Sequence, residues 1–399
     1  MMNKEIFKNV TQQQELRGWG GVWSLCFGTF ALVSSELAPI AALPVIARDY
    51  AIDAGSVGLA VTLPALAAAI AAPLFCWSQA DRKTLLLAMM LLTFVADMVG
   101  AFSGGLTLLL LGRLVLGVSI GGFWSIGATS AARLVPQHLK GRAIAIVFGG
   151  ASAGSVIGLP LASAIIQAQS WRAALLVFGT IAISIALAQL FLLPKLQPQN
   201  KFHYSSLWEL LRIPNFAEGL AATSLLISGH FIAYTFLASL IGELQVPNGI
   251  SPWAFFAFGC AGLISNTISG EYVQTYFRQM ALLYSLLLGL SLLALTLTHS
   301  SLVAAFSIIV WGIAFGGIPI CLQVWLLTAA QDRREISGAA FVSVFQISIA
   351  VGALAGGFLN ERFSIQGNMV AGCALAGTTA ALIVIGRIAK RLSGELSRS

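Results

Sequence analysis

The chain has 399 residues, of which 58% are hydrophobic and only 9% carry a charge, and its formal net charge is +7. With a mean hydropathy of +0.88, it has too little polar surface for a soluble globular protein of this size, so the composition predicts an integral membrane protein. The apolar segments are helix-length runs broken by glycine and lack the alternation of outer-membrane strands, which predicts an all-α fold.

Twelve apolar runs are long enough to cross a bilayer as helices. They cover residues 20–46, 57–78, 84–102, 106–132, 143–167, 172–194, 215–241, 252–272, 279–298, 301–328, 336–359 and 368–388. The first run follows a polar segment of nineteen residues and is longer than the core of a signal peptide. We therefore expect it to be an uncleaved first span.

A polar linker separates the first six predicted spans from the last six. The sequence predicts an N-terminal six-helix bundle in residues 1–194, a cytoplasmic linker in residues 195–214 and a C-terminal six-helix bundle in residues 215–399. Within the linker, Ser206 and Glu209 have the spacing of a helix capping box with apolar residues beside them. This pattern predicts a short helix lying at the membrane surface.

The distribution of basic residues orients the chain. If the N-terminus is cytoplasmic, eighteen of the 22 Lys and Arg residues fall in inner segments, and only Arg48, Arg172 and Arg362 fall outside. Both termini are therefore predicted to face the cytoplasm, in the inner (plasma) membrane of a bacterial-type cell. Because the positive charge is explained by this topology, no nucleic-acid partner is predicted.

An internal repeat relates the two predicted bundles. Glycines of the first half recur in the second half at offsets of 195 and 198, and the pairs are Gly117 with Gly312, Gly121 with Gly316, Gly122 with Gly317, Gly154 with Gly352 and Gly158 with Gly356. This repeat predicts two pseudo-symmetric bundles around a solute cavity that opens alternately to each side. Ile308 occupies the position that matches Arg113, so the charge belongs to one half only.

Four ionisable side chains fall inside predicted spans: Glu36, Asp97, Arg113 and His230. Asp97 and Arg113 flank one short hairpin at similar depth, so they form either a structural ion pair or part of a solute pathway. Glu36 precedes two prolines of the first span, and it is either a static partner of Arg113 or a carboxyl group that takes and releases protons. Behind Arg113, the small residues Gly117 and Gly121 permit close helix packing.

Uncharged polar and aromatic residues provide candidate substrate contacts. His230 and Tyr234 are one helical turn apart on the seventh predicted span, so they can present two polar groups to one cavity. Further candidates, which suit a neutral polar ring system better than an anion, are Trp124, Gln323, Trp325 and Gln346. Each of these residues alone is equally compatible with ordinary helix packing.

The motifs of common enzymes and cofactor sites do not occur in the sequence. There is no HExxH, GxSxG or Walker A motif, so the protein is not predicted to be an enzyme. The five cysteines lie in apolar runs without a CxxC pair, so neither a metal nor another cofactor is predicted. Without an ATPase motif, transport would use an ion gradient or be facilitated.

Several segments together resemble a known transporter family. They are Glu36-Leu-Ala-Pro39, Arg113 with Gly117, Gly121-Gly122-Phe123-Trp124, Gly158-Leu159-Pro160, Trp171-Arg172, His230 with Tyr234, and Gln323 to Trp325. With these segments the chain resembles the major facilitator superfamily over nearly its whole length. More narrowly, it resembles the drug/proton antiporter branch that includes bacterial sugar-efflux and purine-ribonucleoside-efflux transporters.

This resemblance implies proton-coupled export of a small polar metabolite, a purine nucleoside or a sugar, by a monomer embedded in the lipid bilayer. Arg113 would be the arginine of the fourth-helix motif and Glu36 the first-helix carboxylate, with Asp97 a further candidate for proton coupling. The fifth-helix antiporter motif would consist of Gly150, Gly154, Gly158 and Pro160. The alternatives are a broad-specificity drug exporter and a solute sensor that does not transport.

The loop motif that this branch carries between its second and third helices is reduced here. Only Asp81, Arg82 and Lys83 remain of it, and Trp77 stands where a glycine would be. A gating role of Asp81 and Arg82 is therefore an expectation taken from the resemblance and not from a complete motif.

Overall fold

The computed structural model describes residues 2–197, 209–243, 251–298, 300–330 and 334–396. These residues form helices joined by turns, and none of them lies in a β-strand. The helices are α1 (Met2–Tyr50), α2 (Ala54–Trp77), α3 (Arg82–Ala101), α4 (Leu106–Arg133), α5 (Lys140–Ala153), α6 (Leu159–Ala168), α7 (Trp171–Leu192), α8 (Pro214–Tyr234), α9 (Leu237–Glu243), α10 (Ser251–Leu297), α11 (Ser301–Ala329) and α12 (Arg334–Leu396). The all-α prediction is confirmed. Residues 206–208, the start of the predicted surface helix, lie outside the described residues.

The predicted membrane crossings correspond to these helices. Ten helical stretches in the described residues are long and apolar enough to span a bilayer. Two of them, in α10 and α12, each contain two predicted crossings, so all twelve predicted spans are accounted for. The backbone leaves helical geometry within α10 at Tyr276 and within α12 at Ser364, where φ is 57°. These breaks fall at the predicted connections between spans.

The outer surface of the helices is apolar, as a lipid-exposed surface requires. Large hydrophobic side chains such as Phe191, Leu302 and Phe102 are 74–82% exposed. By contrast, the described interior contains many small and hydroxylated residues, including Ser35, Ser119 and Thr223, that are almost completely buried. This distribution is the reverse of that in a soluble protein and is typical of helices packed together inside a bilayer.

The chain divides into two compact units. One contains residues 1–38 and 70–202, and the other contains residues 39–69 and 203–399. The boundaries therefore fall within α1, next to Pro39, and within α2, next to Ile70. The division into bundles at residues 194 and 215 stays a prediction.

The repeat appears within each unit as the same kind of helix contact. In the first unit, a side chain added at Gly154 would meet Phe30 and Val33 of α1, and one added at Gly158 would meet Ser34. In the second unit, the matching glycines of α12, Gly352 and Gly356, face α8. Their contacts there are with Ser228, Phe231 and Ile232, each of which is 198 positions after its counterpart in α1. Glycine removes the Cβ atoms that would keep these helices apart.

Candidate functional site

A proline break in α1 is the starting point of the candidate site. Pro39 lies inside the helix and has no N–H group, so the carbonyl of Ser35, four residues earlier, loses its usual helical donor. Arg113 of α4 replaces that donor. Its Nη1 donates to the Ser35 carbonyl oxygen at 2.8 Å, and its Nη2 donates to the Glu36 carbonyl oxygen at 2.9 Å. The planar guanidinium group suits two adjacent acceptors of this kind.

The same serine connects the break to Asp97 of α3. The Ser35 hydroxyl donates to Oδ2 of Asp97 at 2.6 Å. Asp97 is 1% exposed, and its other oxygen, Oδ1, accepts no hydrogen bond within the described residues. Ser35 therefore contacts the arginine through its carbonyl and the carboxylate through its hydroxyl.

Glu36, Asp97 and Arg113 are brought together at this break. Arg113 is 3% exposed and interacts electrostatically with both carboxylates. Glu36 is only half-buried, whereas Asp97 is fully enclosed. The structure thus brings Arg113 together with both Asp97 and Glu36, and whether these contacts are structural or part of a solute pathway stays a prediction. Which carboxyl group carries a proton stays a prediction.

Packing between α3 and α4 holds this assembly in place. A Cβ at Gly112, next to Arg113, would lie 2.8 Å from the carbonyl oxygen of Ala96. One turn below Asp97, the hydroxyls of Thr93 and Ser119 are 2.7 Å apart, and both donate to a carbonyl of α3. Gly117 and Gly121 are buried on α4, and their packing role stays a prediction.

The predicted antiporter motif coincides with an irregular helix. The turn Gly154–Gly158 between α5 and α6 is a π-helix, and Pro160 follows it after one residue. Because Pro160 has no N–H, the regular bonding pattern is interrupted there, and a π turn is one way to accommodate this. The glycines of the turn pack on α1 just before its own break at Pro39.

The reduced loop motif joins α3 to the segment after α7. Asp81 caps α3 by accepting from two backbone N–H groups of its first turn, and its Oδ2 accepts from the backbone N–H of Leu196 at 2.7 Å. The backbone N–H of Arg82 donates to the Leu196 carbonyl at 2.9 Å. Its guanidinium donates to the carbonyls of Phe75, in the last turn of α2, and of Ser78, just after that helix. Both residues therefore make structural contacts, and their gating role stays a prediction.

A second group of predicted residues lies in an aromatic cluster of the other unit. We call it the aromatic box, and it consists of His230, Phe231 and Tyr234 from α8, Phe258 from α10, and Trp311 and Phe315 from α11. The indole N–H of Trp311 donates to Nδ1 of His230 at 3.0 Å. The His230 ring stacks on Phe315 with centroids 3.6 Å apart and on Tyr234 with centroids 4.7 Å apart.

Trp325 belongs to a different cluster, fourteen residues beyond Trp311 and therefore about 21 Å further along α11. Its indole N–H donates to the backbone carbonyl of Asn215 at 3.1 Å. The Arg278 guanidinium lies over its ring at 4.5 Å and forms an ion pair with Glu218 at 2.7 Å. The polar and cationic contacts of Trp325 are thus made within the protein, and its role in substrate binding stays a prediction.

Three further residues were predicted as substrate contacts. Gln323 is half-buried near Trp325, and Gln346 of α12 is buried with an amide nitrogen that has no partner in the described residues. In the first unit, Trp124 is half-buried, and its ring centroid lies 5.6 Å from that of Phe148. None of these placements tests a substrate role.

Two features of the site were missed by sequence reasoning. Ser35 had no signal of its own, although the position four residues before Pro39 marks the carbonyl that needs a donor. Phe315 was also missed, because a phenylalanine in an apolar span is usually a packing residue. Its position relative to a proline could have identified it, since Pro319 lies four residues after Phe315 inside α11 and leaves the Phe315 carbonyl without its helical donor.

Comparison with protein families gives a match over most of the chain. The profile described as Major Facilitator Superfamily matches residues 25–353. Among curated relatives, the purine ribonucleoside efflux pump NepI of Salmonella enteritidis PT4 is 29% identical over 399 residues, which cover 97% of this chain and 98% of the relative. The transcription regulatory protein OpdE of Pseudomonas aeruginosa is 29% identical over 388 residues, which cover 94% and 96%.

Among solved structures, the chain is similar to a bacterial homologue of the human lysosomal transporter Spinster in an inward-facing, occupied conformation. The TM-score is 0.77 at 13% identity, and the match covers 91% of this chain and 95% of that structure. At this identity the likeness concerns the fold alone.

Proposed function

The chain belongs to the Major Facilitator Superfamily and is a multi-pass membrane transporter of a small molecule, and we propose that it exports a purine nucleoside in exchange for protons. We further propose that it acts as a monomer in the inner membrane with both termini in the cytoplasm. The observation that carries proton coupling is the assembly of Arg113 with two carboxylates at the Pro39 break of α1.

The coupling step follows from how this break is bonded. The carbonyls of Ser35 and Glu36 are held by a side chain of another helix, so α1 can change its bend when that side chain moves. Arg113 stays in place because negative charge on Glu36 and Asp97 compensates its own charge in a low-dielectric surrounding. Protonation of one carboxylate removes part of that compensation and favours a different arrangement of Arg113 and α1.

The substrate class is supported by the aromatic box and by one relative. Five aromatic rings and one imidazole provide flat, uncharged surfaces on which a nucleobase can stack. The relative NepI is named as a purine ribonucleoside efflux pump. A sugar or a range of unrelated drugs would use these stacked rings less directly, so purine nucleosides are the first class to test.

The relative OpdE favours a second candidate function, because it is named as a transcription regulatory protein. In this case the protein would bind a solute and signal its presence without moving it. Binding would then persist in purified protein, whereas no flux across the membrane would depend on a proton gradient.

Uptake into everted membrane vesicles tests the proposal. Vesicles that contain the protein are given labelled inosine, adenosine, guanosine or a panel of sugars, with the proton gradient intact or collapsed by an uncoupler. We expect gradient-dependent accumulation of at least one purine nucleoside, and none in vesicles that lack the protein. Accumulation of sugars alone would replace the proposed substrate, and binding without accumulation would favour the sensor.

A further inference from the structure

The imidazole of His230 is held in one tautomer. An indole N–H can only donate a hydrogen bond, so the nitrogen that accepts it from Trp311, Nδ1, must carry a lone pair. A neutral imidazole has one N–H, which therefore lies on Nε2. The protein thus presents a defined donor at the second nitrogen of this ring.

That donor has no partner. Nε2 of His230 is buried and makes no hydrogen bond within the described residues, and the residue as a whole is 0% exposed. Buried donors are almost always paired, so an unpaired one in a binding region requires an explanation. The surrounding rings of Phe231, Tyr234 and Phe258 offer flat faces, and flat faces select a ligand that is itself flat.

One ring of the aromatic box, that of Phe315, can be displaced more easily than the others. Phe315 lies almost parallel to the imidazole, with an interplanar angle of 5° and a centroid distance of 3.6 Å, so it covers one face of the imidazole. It is half-buried, whereas Trp311 and Tyr234 are fully buried. Because Pro319 has no N–H, the carbonyl of Phe315 lacks its helical donor, so α11 is weakened at this residue.

From these observations we propose that Nε2–H of His230 donates to an in-plane ring nitrogen of the substrate, whose flat ring meets the edge of the imidazole after Phe315 moves aside. The ligand class is an uncharged planar heteroaromatic with at least one unprotonated ring nitrogen. Purine nucleosides are the substrate class of the proposed function on which this inference rests, and in inosine or guanosine, where N1 carries a hydrogen, the acceptors are N3 and N7. Trp311 is then a positioning residue, because it holds the imidazole in the donating tautomer.

Analogues that lack a single nitrogen test this contact. Binding of inosine, its 3-deaza analogue and its 7-deaza analogue is measured on purified protein, and transport of each is measured in everted vesicles. We expect wild type to bind one of the two analogues about tenfold more weakly than the parent, which is the loss of roughly one hydrogen bond. In His230→Phe, which keeps a flat ring and removes the donor, parent and analogue should bind equally.

His230→Gln is the matched variant, because its amide keeps an N–H donor near the position of Nε2. It should retain part of the preference for the parent nucleoside, and Trp311→Phe should weaken the preference by freeing Nδ1. All three variants are compared as monodisperse protein in detergent. Equal binding of parent and both analogues by wild type, or an unchanged preference in His230→Phe, would overturn the role of His230.

The failure of the proposed function can be distinguished from the failure of this inference. If wild type neither binds nor moves any purine nucleoside, the nucleoside assignment fails, and benzimidazole and indole are compared as free ligands. These two flat molecules differ by one acceptor nitrogen. Preference for benzimidazole that is lost in His230→Phe would still support the donor, whereas no binding of either would contradict it.

Discussion

At the residue scale, the missing N–H of Pro39 explains why a charged side chain is buried in α4. A helical carbonyl without a donor is unfavourable in a membrane, and Arg113 supplies two N–H groups to the break. The charge that accompanies those donors then requires carboxylates nearby, and Asp97 and Glu36 provide them. Pro39 thus leaves a carbonyl without a donor, Arg113 supplies the donor, and the two carboxylates balance the charge of Arg113.

Replacing Arg113 with Lys tests this geometry. An ammonium group keeps the charge but cannot donate from a planar fork to two adjacent carbonyls. We expect Arg113→Lys to fold and to lose at least about tenfold in transport rate, since one or more buried bonds of roughly 1.4 kcal/mol disappear. Vesicle transport and the yield of monodisperse protein are the measurements. Wild-type transport in Arg113→Lys would show that the fork is not used.

The sequence predicted some of these residues and not others for clear reasons. Glu36, Asp97 and Arg113 were identified because a charge inside an apolar run is costly and therefore conspicuous. Ser35 was not, because its role depends on its position relative to Pro39 and on a side chain 78 positions away. Trp325 was assigned to substrate contacts, yet Arg278 and Asn215 lie against it, and no pattern within α11 predicts those partners.

At the element scale, the helices were predictable and their irregularities were not. Length and hydropathy predicted every span, because each crossing requires about twenty apolar residues. The π turn at Gly154–Gly158 and the break of α12 at Ser364 depend on local backbone bonding that periodicity does not report. Such irregular turns are where a helix bundle in a membrane can bend, since regular helices have no free backbone groups.

The contact of the Gly154–Gly158 turn with α1 predicts the effect of enlarging one glycine. A side chain at Gly158 would clash with Ser34, so Gly158→Val should push the helices apart and destabilise the fold by about 1–3 kcal/mol. Gly149→Val is the matched control, because nothing lies within 4 Å of a Cβ at that position. Thermal unfolding in detergent should show a lower Tm for the first variant only. Equal Tm values would mean that this contact contributes nothing.

The start of α2 predicts a pH dependence of stability. Asp53 accepts hydrogen bonds from the hydroxyl and the backbone N–H of Ser56, each at 2.6 Å. These bonds lower the pKa of Asp53 below 3.8, and the bond from the hydroxyl has the largest effect. A hydrogen bond with Glu361 lowers the pKa further. A lowered pKa means that folding favours the carboxylate. Its stabilising effect is therefore complete above about pH 3.8 and is lost as the pH falls through the lower pKa of the folded protein.

Asp53→Asn isolates this effect, because asparagine still caps a helix but does not titrate in this range. Below about pH 4 the Tm of wild type should fall more steeply than that of Asp53→Asn, since only the wild type loses this carboxylate. The other acidic groups titrate in both proteins, except that Asp53 itself raises the pKa of Glu361, so the difference between the two curves reports on Asp53 together with Glu361. Parallel curves down to pH 3 would contradict the assignment.

At the scale of the whole molecule, matching positions of the two halves carry side chains of different chemistry. The glycine contacts of α1 and α8 align the halves at an offset of 198, and this alignment pairs Glu36 with Tyr234. The first half thus has a carboxylate where the second half has an aromatic ring. At the offset of 195 that relates α4 to α11, Arg113 matches the apolar Ile308. We infer that proton chemistry belongs to one half and ring recognition to the other.

The orientation in the membrane is a further prediction at this scale. Because basic residues are concentrated on one predicted side, reporter fusions after Lys201 and after Arg391 should both give cytoplasmic signals. A fusion near Arg48 serves as the periplasmic control. If the signal after Lys201 or Arg391 were periplasmic, the number of crossings before that point would be odd, and the twelve-span topology would be wrong.

The coupling of protons to transport is tested most directly at Glu36. Glu36→Gln resembles the protonated carboxyl group permanently, so the protein should still bind substrate, while accumulation driven by a pH gradient should stop. Binding to purified protein and uptake into everted vesicles with and without the gradient are the two measurements. Glu271→Gln, which removes an exposed carboxylate of α10, should change neither. If Glu36→Gln still accumulates substrate with the gradient, the proton is carried elsewhere, and Asp97, whose Oδ1 is buried without a partner in the described residues, becomes the carboxyl group to replace.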